Sequence, residues 1–363
     1  MTFPFDRAMP GVCELQPYQP GKPTEELERE LGITNAVKLA SNENPWGCSP
    51  SVISVIREYT DIGLYPDANG YALKQALSRK LGVRPGQITL GNGSNDVLDL
   101  LARVFVGAGD EVVFSQYAFL VYPLVTRATG GVAVVTPALE WGHDLTAIAE
   151  AVSGRTKLVF IANPNNPTGT YVSARRLEGF MDDIPGDVVV VVDEAYFEYV
   201  SADDYPDALD LCVRFPNLVV TRTFSKIHGL ASLRVGYAVA SEDITDLLNR
   251  VRQPFNVNSL ALAAAESAIA DPDHAIRCAR DNEEQRGRFV KYCEAKGLPF
   301  IPSVANFLTV EFGDRTGAIN DALLHKGVIV RPVANYGMPG HLRITVGRDH
   351  EMDRLFEALD SLL

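Results

Sequence analysis

Thr221-Arg222-Thr223-Phe224-Ser225-Lys226-Ile227-His228-Gly229-Leu230-Ala231-Ser232-Leu233-Arg234-Val235-Gly236 follows the apolar run Leu218-Val219-Val220 and sets Lys226 in a small-polar, glycine-containing turn. Arg234 comes eight positions later. An amine held on a short turn behind a buried apolar run is partly desolvated, which lowers its pKa and frees its lone pair to attack a carbonyl. Arg234 is suited to hold a phosphate in the same cavity. A lysine taken alone is usually a solvated surface charge, so the reading rests on what the rest of the chain supplies. His228, two places on, reads as a hydrogen-bonded turn histidine.

Two more continuous apolar runs, Leu158–Ala162 and Val188–Val192, share the texture of Leu218–Val220. Runs without polar alternation belong to strands covered on both faces. From residue 88 onward, strand, loop and helix alternate, which predicts an α/β fold with a mainly parallel sheet between helices. Ligands bind at the carboxyl ends of such strands, and each run ends in a polar cluster. Gly91-Asn92-Gly93-Ser94-Asn95 opens a helix whose free N–H groups and positive dipole end suit a phosphate. Asn163-Pro164-Asn165-Asn166-Pro167-Thr168-Gly169 is a tight, non-helical turn. Asp193-Glu194-Ala195-Tyr196 brings a carboxylate out of a buried strand into a closed pocket, where a cationic partner is expected; a helix N-cap is the plainer role for Asp193.

Taken in this order, the four clusters resemble the fold-type-I pyridoxal-phosphate (PLP) aminotransferases, in which a Ser/Thr-x-Ser/Ala-Lys turn carries the Schiff-base lysine and an arginine follows at the eighth position. The resemblance spans residues 91–234 and extends to both ends. It implies that Lys226 binds the cofactor covalently and then serves as the base that moves the α-proton. Asp193 would keep the pyridine nitrogen protonated, Tyr196 and Asn166 would contact the ring oxygen, and Arg234, Thr223, Ser225, Ser94 and Asn95 would hold the phosphate. Phe119 stands where the family stacks an aromatic on the ring, with Tyr117 the lesser choice. The implied organisation is an N-terminal arm (1–37), a large PLP-binding domain (38–245) and a small α+β C-terminal domain (246–363).

Leu342-Arg343-Ile344-Thr345 resembles the strand bearing the family's substrate-anion arginine, and an arginine fork binds carboxylate or phosphate bidentately. Arg331 adds a second charge suited to a phosphate dianion. The arm around Tyr18, the loop Ser41-Asn42-Glu43-Asn44-Pro45 and Tyr65-Pro66-Asp67 look most like the histidinol-phosphate aminotransferase branch, although Trp46 replaces the tyrosine common there. This resemblance puts Tyr18 and Asn44 on the substrate and Tyr65 on the cofactor phosphate of a partner subunit in a homodimer. The implied reaction exchanges an amino group between L-histidinol phosphate, the donor, and 2-oxoglutarate. An aromatic amino-acid aminotransferase, a PLP-dependent decarboxylase of a phosphorylated amino acid and a non-catalytic PLP-fold binding module are the alternatives.

Composition narrows the partners. The chain has 363 residues, 46% hydrophobic and 22% charged, which suits an ordinary globular protein of about two domains. A net charge of −13 argues against general affinity for nucleic acid or anionic membrane, so an anionic substrate must meet local arginines. Five cysteines without a CxxC pair, and six histidines without an HExxH, suggest neither disulfides nor a metal site. Neither a signal segment nor a membrane span is visible, and a reducing cytoplasm fits best.

Overall fold

The computed structural model describes residues 3–17 and 21–363. Strands β1 (Ile88–Gly91), β2 (Glu111–Ser115), β3 (Val132–Thr136), β4 (Thr156–Ala162), β5 (Val189–Asp193), β6 (Leu218–Thr223) and β7 (Gly236–Val239) form one sheet. Their order is β1-β7-β6-β5-β4-β2-β3. Pairing is parallel from β6 through to β3. It is antiparallel only where β7 lies between β1 and β6.

The valine run explains why this sheet is covered on both sides. Val188, Val190 and Val192 join one apolar cluster, and Val189 and Val191 join the other. The helices Tyr71–Leu81, Ala174–Asp183 and Ser259–Ile269 supply the first cluster, whereas Ser94–Phe105, Val121–Ala128 and Glu242–Val251 supply the second. Alternate side chains of a strand point to opposite faces, so a run of five valines feeds two cores at once.

Parallel pairing also decides where the chemistry collects. Gly91, Ala162, Asp193 and Thr223 all end their strands at the same edge of the sheet. Because β7 runs the other way, it begins at that edge, and Arg234, two residues before its start, is delivered there too.

A second, antiparallel sheet comprises β8 (Phe300–Ile301), β9 (Phe307–Glu311), β10 (Arg331–Pro332) and β11 (His341–Thr345), in the order β8-β9-β11-β10. It packs in its own cluster with Phe289, Ile319, Leu323, Met352 and Leu355 from the adjoining helices. The helix Thr24–Leu31 ends at Gly32, as its sequence suggests, and buries Leu27 against Ala40 and Ile329. Val37–Lys38 then pairs in parallel with Val328–Ile329. The early chain is thereby tied to the second sheet. The helix Ser259–Ile269 packs instead on Pro50–Glu58 and Tyr71–Leu81, with the large sheet. Among the described residues, no helix is long and apolar enough to cross a membrane.

Candidate active site

A cavity of about 580 Å³ opens at the carboxyl edge of the large sheet and is closed on its far side by the small one. It is lined by Ser94, Asn95, Phe119, Asn166, Asp193, Tyr196, Thr223, Ser225, Lys226, Arg234, Arg331 and Arg343. All four cluster-bearing loops therefore meet in one place.

Lys226 Nζ donates to the Ser41 carbonyl at 3.2 Å and lies 5.6 Å from the centroid of the Tyr196 ring. Burial, then the nearby Arg343 and Arg234 guanidiniums, lower its pKa from the ordinary 10.5 to about 8. The free amine is therefore reached at a far lower pH than for an ordinary lysine, although the ammonium still predominates at neutrality.

Asp193, 4% exposed, ends β5. Its Oδ2 accepts a hydrogen bond from the Tyr122 hydroxyl at 3.1 Å, and its Oδ1 accepts one from Thr221 at 3.0 Å. Burial raises its pKa, while these two hydroxyls, the Lys226 charge and the Ala195 N–H oppose that shift. Neutral donors hold the carboxylate, which leaves it suited to a cationic group inside the cavity.

The end of the cavity suited to an anion is built largely from backbone. The helix Ser94–Phe105 starts without a side-chain cap, so its first N–H groups remain available. Gly93, at φ 81°, lies under the Arg234 guanidinium, and a Cβ there would come within 2.5 Å of Nη2. At Gly236 an added Cβ would lie 2.4 Å from the Ser94 nitrogen. Only glycines allow the arginine, the helix start and β7 to come this close. Arg234 Nη1 also donates to the Ala231 carbonyl at 3.0 Å and to Ser225 Oγ at 3.4 Å, and the Ser225 N–H donates to Thr223 Oγ1 at 3.1 Å.

On the opposite wall, Arg343 Nη1 donates to Asn166 Oδ1 and Nη2 donates to the Ala40 carbonyl at 2.8 Å. Its Nε is buried without a hydrogen-bond partner among the described residues. The Tyr196 hydroxyl accepts from Asn42 Nδ2 at 2.9 Å, and burial raises its pKa to about 12. Phe119 packs edge-on to Tyr122, with ring centroids 5.9 Å apart. Tyr117 turns instead toward Trp141, 5.2 Å away, and does not line the cavity.

This donor set fits pyridoxal phosphate: a buried amine, a buried carboxylate bound by neutral hydroxyls, an uncapped helix start under an arginine, and an aromatic wall. Residues 34–359 match the family model described as aminotransferase class I and II. The chain belongs to that family. This aminotransferase is 51% identical over 364 residues to histidinol-phosphate aminotransferase 1 of Mannheimia succiniciproducens, with 100% of this chain and 99% of the relative covered. It is 54% identical to histidinol-phosphate aminotransferase 2 of Pseudomonas fluorescens, with 98% and 97% covered. Its fold is also similar to a solved structure of histidinol-phosphate aminotransferase from Sinorhizobium meliloti in complex with pyridoxal-5'-phosphate. That similarity has a TM-score of 0.90 and 32% identity, with 99% of this chain and 100% of that one covered.

Two residues assigned from sequence, Asn44 and Tyr65, do not line this subunit's cavity. The Asn44 amide donates to the carbonyls of Ile227, at 2.8 Å, and Gly47, at 3.1 Å, and accepts from the Trp46 N–H at 3.1 Å. Every polar group of the side chain is thus taken by backbone, and Asn44 braces the turn behind Lys226 instead of reaching substrate. Tyr65 is 81% exposed and stacks on Phe255 at 4.6 Å, outside its own subunit's cavity. Tyr18 lies outside the described residues. His228 is buried, and burial lowers its pKa to about 3, so it is a neutral turn residue.

Sequence reading missed Tyr122, Thr221 and Asn42. Thr221 is the first polar residue after Leu218-Val219-Val220 and pairs in register with Asp193, which is a usable signal. Tyr122 carries a weaker one, three positions after Phe119 in an apolar helix. Beside the site, Arg222 forms a buried ion pair with Glu194 at 2.7 Å and stacks over Phe197, joining the ends of β5 and β6.

Proposed function

We propose that this aminotransferase uses pyridoxal phosphate to exchange an amino group between L-histidinol phosphate and 2-oxoglutarate, giving imidazole acetol phosphate and glutamate. One observation carries the substrate choice: Arg331 and Arg343 are directly paired residues of neighbouring strands, and both line the cavity. Two guanidiniums at one wall suit a phosphate dianion, and one of them suffices for the carboxylate of the second substrate. The roughly half-identical relatives named for histidinol phosphate support the same choice.

When bound, pyridoxal phosphate supplies an aldehyde that takes up amines and a protonated ring that accepts electron density. The chain's own residues do the rest. Lys226 Nζ, its pKa lowered by burial, would attach to the cofactor, be set free as an amine when the substrate's amine displaces it, and then take the substrate's α-proton and return it. Asp193, held by Tyr122 and Thr221, would hold the ring N–H. Arg234, Ser94, Asn95, Thr223 and Ser225 would secure the phosphate, Asn166 and Tyr196 would meet the ring oxygen, and Phe119 would cover a ring face. Arg331 and Arg343 orient the substrate anion.

The proposed organisation is a cytoplasmic homodimer in which Tyr65 reaches the neighbouring cofactor site. The large domain would extend through Ser259–Ile269, since that helix packs with the large sheet. Measured turnover of histidinol phosphate, phenylalanine and phosphothreonine on one purified preparation tests the reaction. A preference for phenylalanine, or release of CO2 from phosphothreonine, would replace it.

A further inference from the structure

Asn42, 1% exposed and left-handed at φ 56°, joins the two sheets through a chain of hydrogen bonds whose donor directions can be worked out. Its backbone N–H donates to Thr345 Oγ1 at 3.0 Å. The same hydroxyl then donates its single proton to Asn42 Oδ1 at 3.2 Å. The amide oxygen is therefore turned toward Thr345, at the end of β11, and the amide nitrogen toward Tyr196, 2.9 Å away. An amide nitrogen only donates. The Tyr196 oxygen must accept, so its own proton is directed elsewhere, and Tyr196 and Asn42 both line the cavity. Asn306 Nδ2, donating to the Asn42 carbonyl at 3.1 Å, fixes the loop from the side of β9.

We propose that Asn42, oriented by Thr345, is a positioning residue that fixes the Tyr196 hydroxyl as a donor into the cavity. This rests on the reading that Tyr196 faces the ring oxygen of pyridoxal phosphate. A donor aimed at that oxygen stabilises its negative form and lowers the pH at which the bound cofactor gives up its proton. Asn42 thus acts through Tyr196 and touches no reacting atom. It also makes the hydroxyl's direction depend on the small sheet, because Thr345 and Asn306 belong to that side. The other groups facing Tyr196 are Arg343 on β11, Tyr336, Asp193 at the end of β5 and Lys226 on the turn after β6. All four remain in every variant below.

The experiment is an absorption titration of the pyridoxal-phosphate-loaded protein. Asn42→Asp presents an acceptor that draws the Tyr196 proton away, and Tyr196→Phe removes it. Each should raise the titration midpoint by about one pH unit, a tenfold change in proton affinity. In the Tyr196→Phe background, Asn42→Asp should add less than half its single-variant shift. Thr345→Val is the uncharged counterpart and remains informative if Asn42→Asp does not fold: it should raise the midpoint, and Thr345→Ser should restore it. Equal Asn42→Asp shifts in both backgrounds would mean that added charge alone is acting and would overturn the proposal. So would an unchanged midpoint in Thr345→Val. If Tyr196→Phe shifts the midpoint and neither Asn42→Asp nor Thr345→Val does, the proposal falls and the Tyr196 reading survives. An unchanged midpoint in Tyr196→Phe overturns both.

Discussion

Arg331 and Arg343 are Cα partners in the antiparallel β10–β11 pair, so their side chains leave the sheet on the same face, directly opposite one another. Like charges in that relationship repel, and a dianion placed between them offsets the repulsion. Removal of one guanidinium should therefore weigh most on a phosphorylated substrate. Arg331→Ala should lower kcat/KM for histidinol phosphate by about 1.5–3 kcal/mol, the worth of a charge-assisted contact. Its effect on phenylalanine should be much smaller. Equal losses on both would favour the aromatic aminotransferase, and no loss on either would take Arg331 out of the site.

Lys226 should react with pyridoxal phosphate as an amine of lowered pKa. Its free-base fraction rises through pH 8, so the rate of cofactor attachment to the cofactor-free protein should level off above that midpoint. A midpoint near the ordinary 10.5 would contradict the desolvated setting. Borohydride should fix the cofactor to Lys226, as mapped by peptide mass. Lys226→Ala should still bind pyridoxal phosphate through Arg234, Asp193 and the helix start, yet lose several orders of magnitude in turnover. Label on another lysine would sink the central assignment.

Asp193 depends on two hydroxyls for its charge. Burial pushes its carboxyl pKa up, and Thr221 and Tyr122 pull it back, so removing either donor should raise it further. The carboxylate would then be protonated at higher pH, and its hold on a cationic ring nitrogen would weaken first on the acid side. Tyr122→Phe keeps the stacking on Phe160, 4.6 Å away, and removes only the donor. We expect cofactor affinity to fall by about 1.5–3 kcal/mol, more at low pH than at high pH. Equilibrium titration of the apoprotein at several pH values checks this. An affinity equal to that of the unsubstituted protein throughout would show that the hydroxyl has no influence on the site.

Features written in contiguous residues were legible before the structure. The valine run appears as β5, and Lys226 and Arg234 meet in one cavity. What was not legible depends on residues far apart in the chain. Gly236–Val239 is only four residues long and becomes a strand because β1 and β6 flank it. The resemblance of its loop puts Asn44 on the substrate, whereas its amide is occupied by the backbone of Ile227, 183 positions away. The Tyr122 hydroxyl meets Asp193 across 71 positions, and a tyrosine in an apolar helix carries no mark of that pairing.

Tyr65 gives the last prediction. It stands 81% exposed beside Ile62 and Leu64, also exposed, and its own cavity does not include it. A contact with the cofactor phosphate of the same subunit is therefore unavailable, and a contact in trans is what the proposed homodimer requires. Lys226→Ala and Tyr65→Ala should each be defective alone. In a mixed dimer, one site receives both lesions and the other combines an intact Lys226 with an intact Tyr65. Unfolding and refolding the two variants together should then yield more activity than the sum of the two refolded separately. If mixed dimers form, as native mass spectrometry of tagged subunits can establish, and activity only equals that sum, then Tyr65 does not complete the neighbour's site.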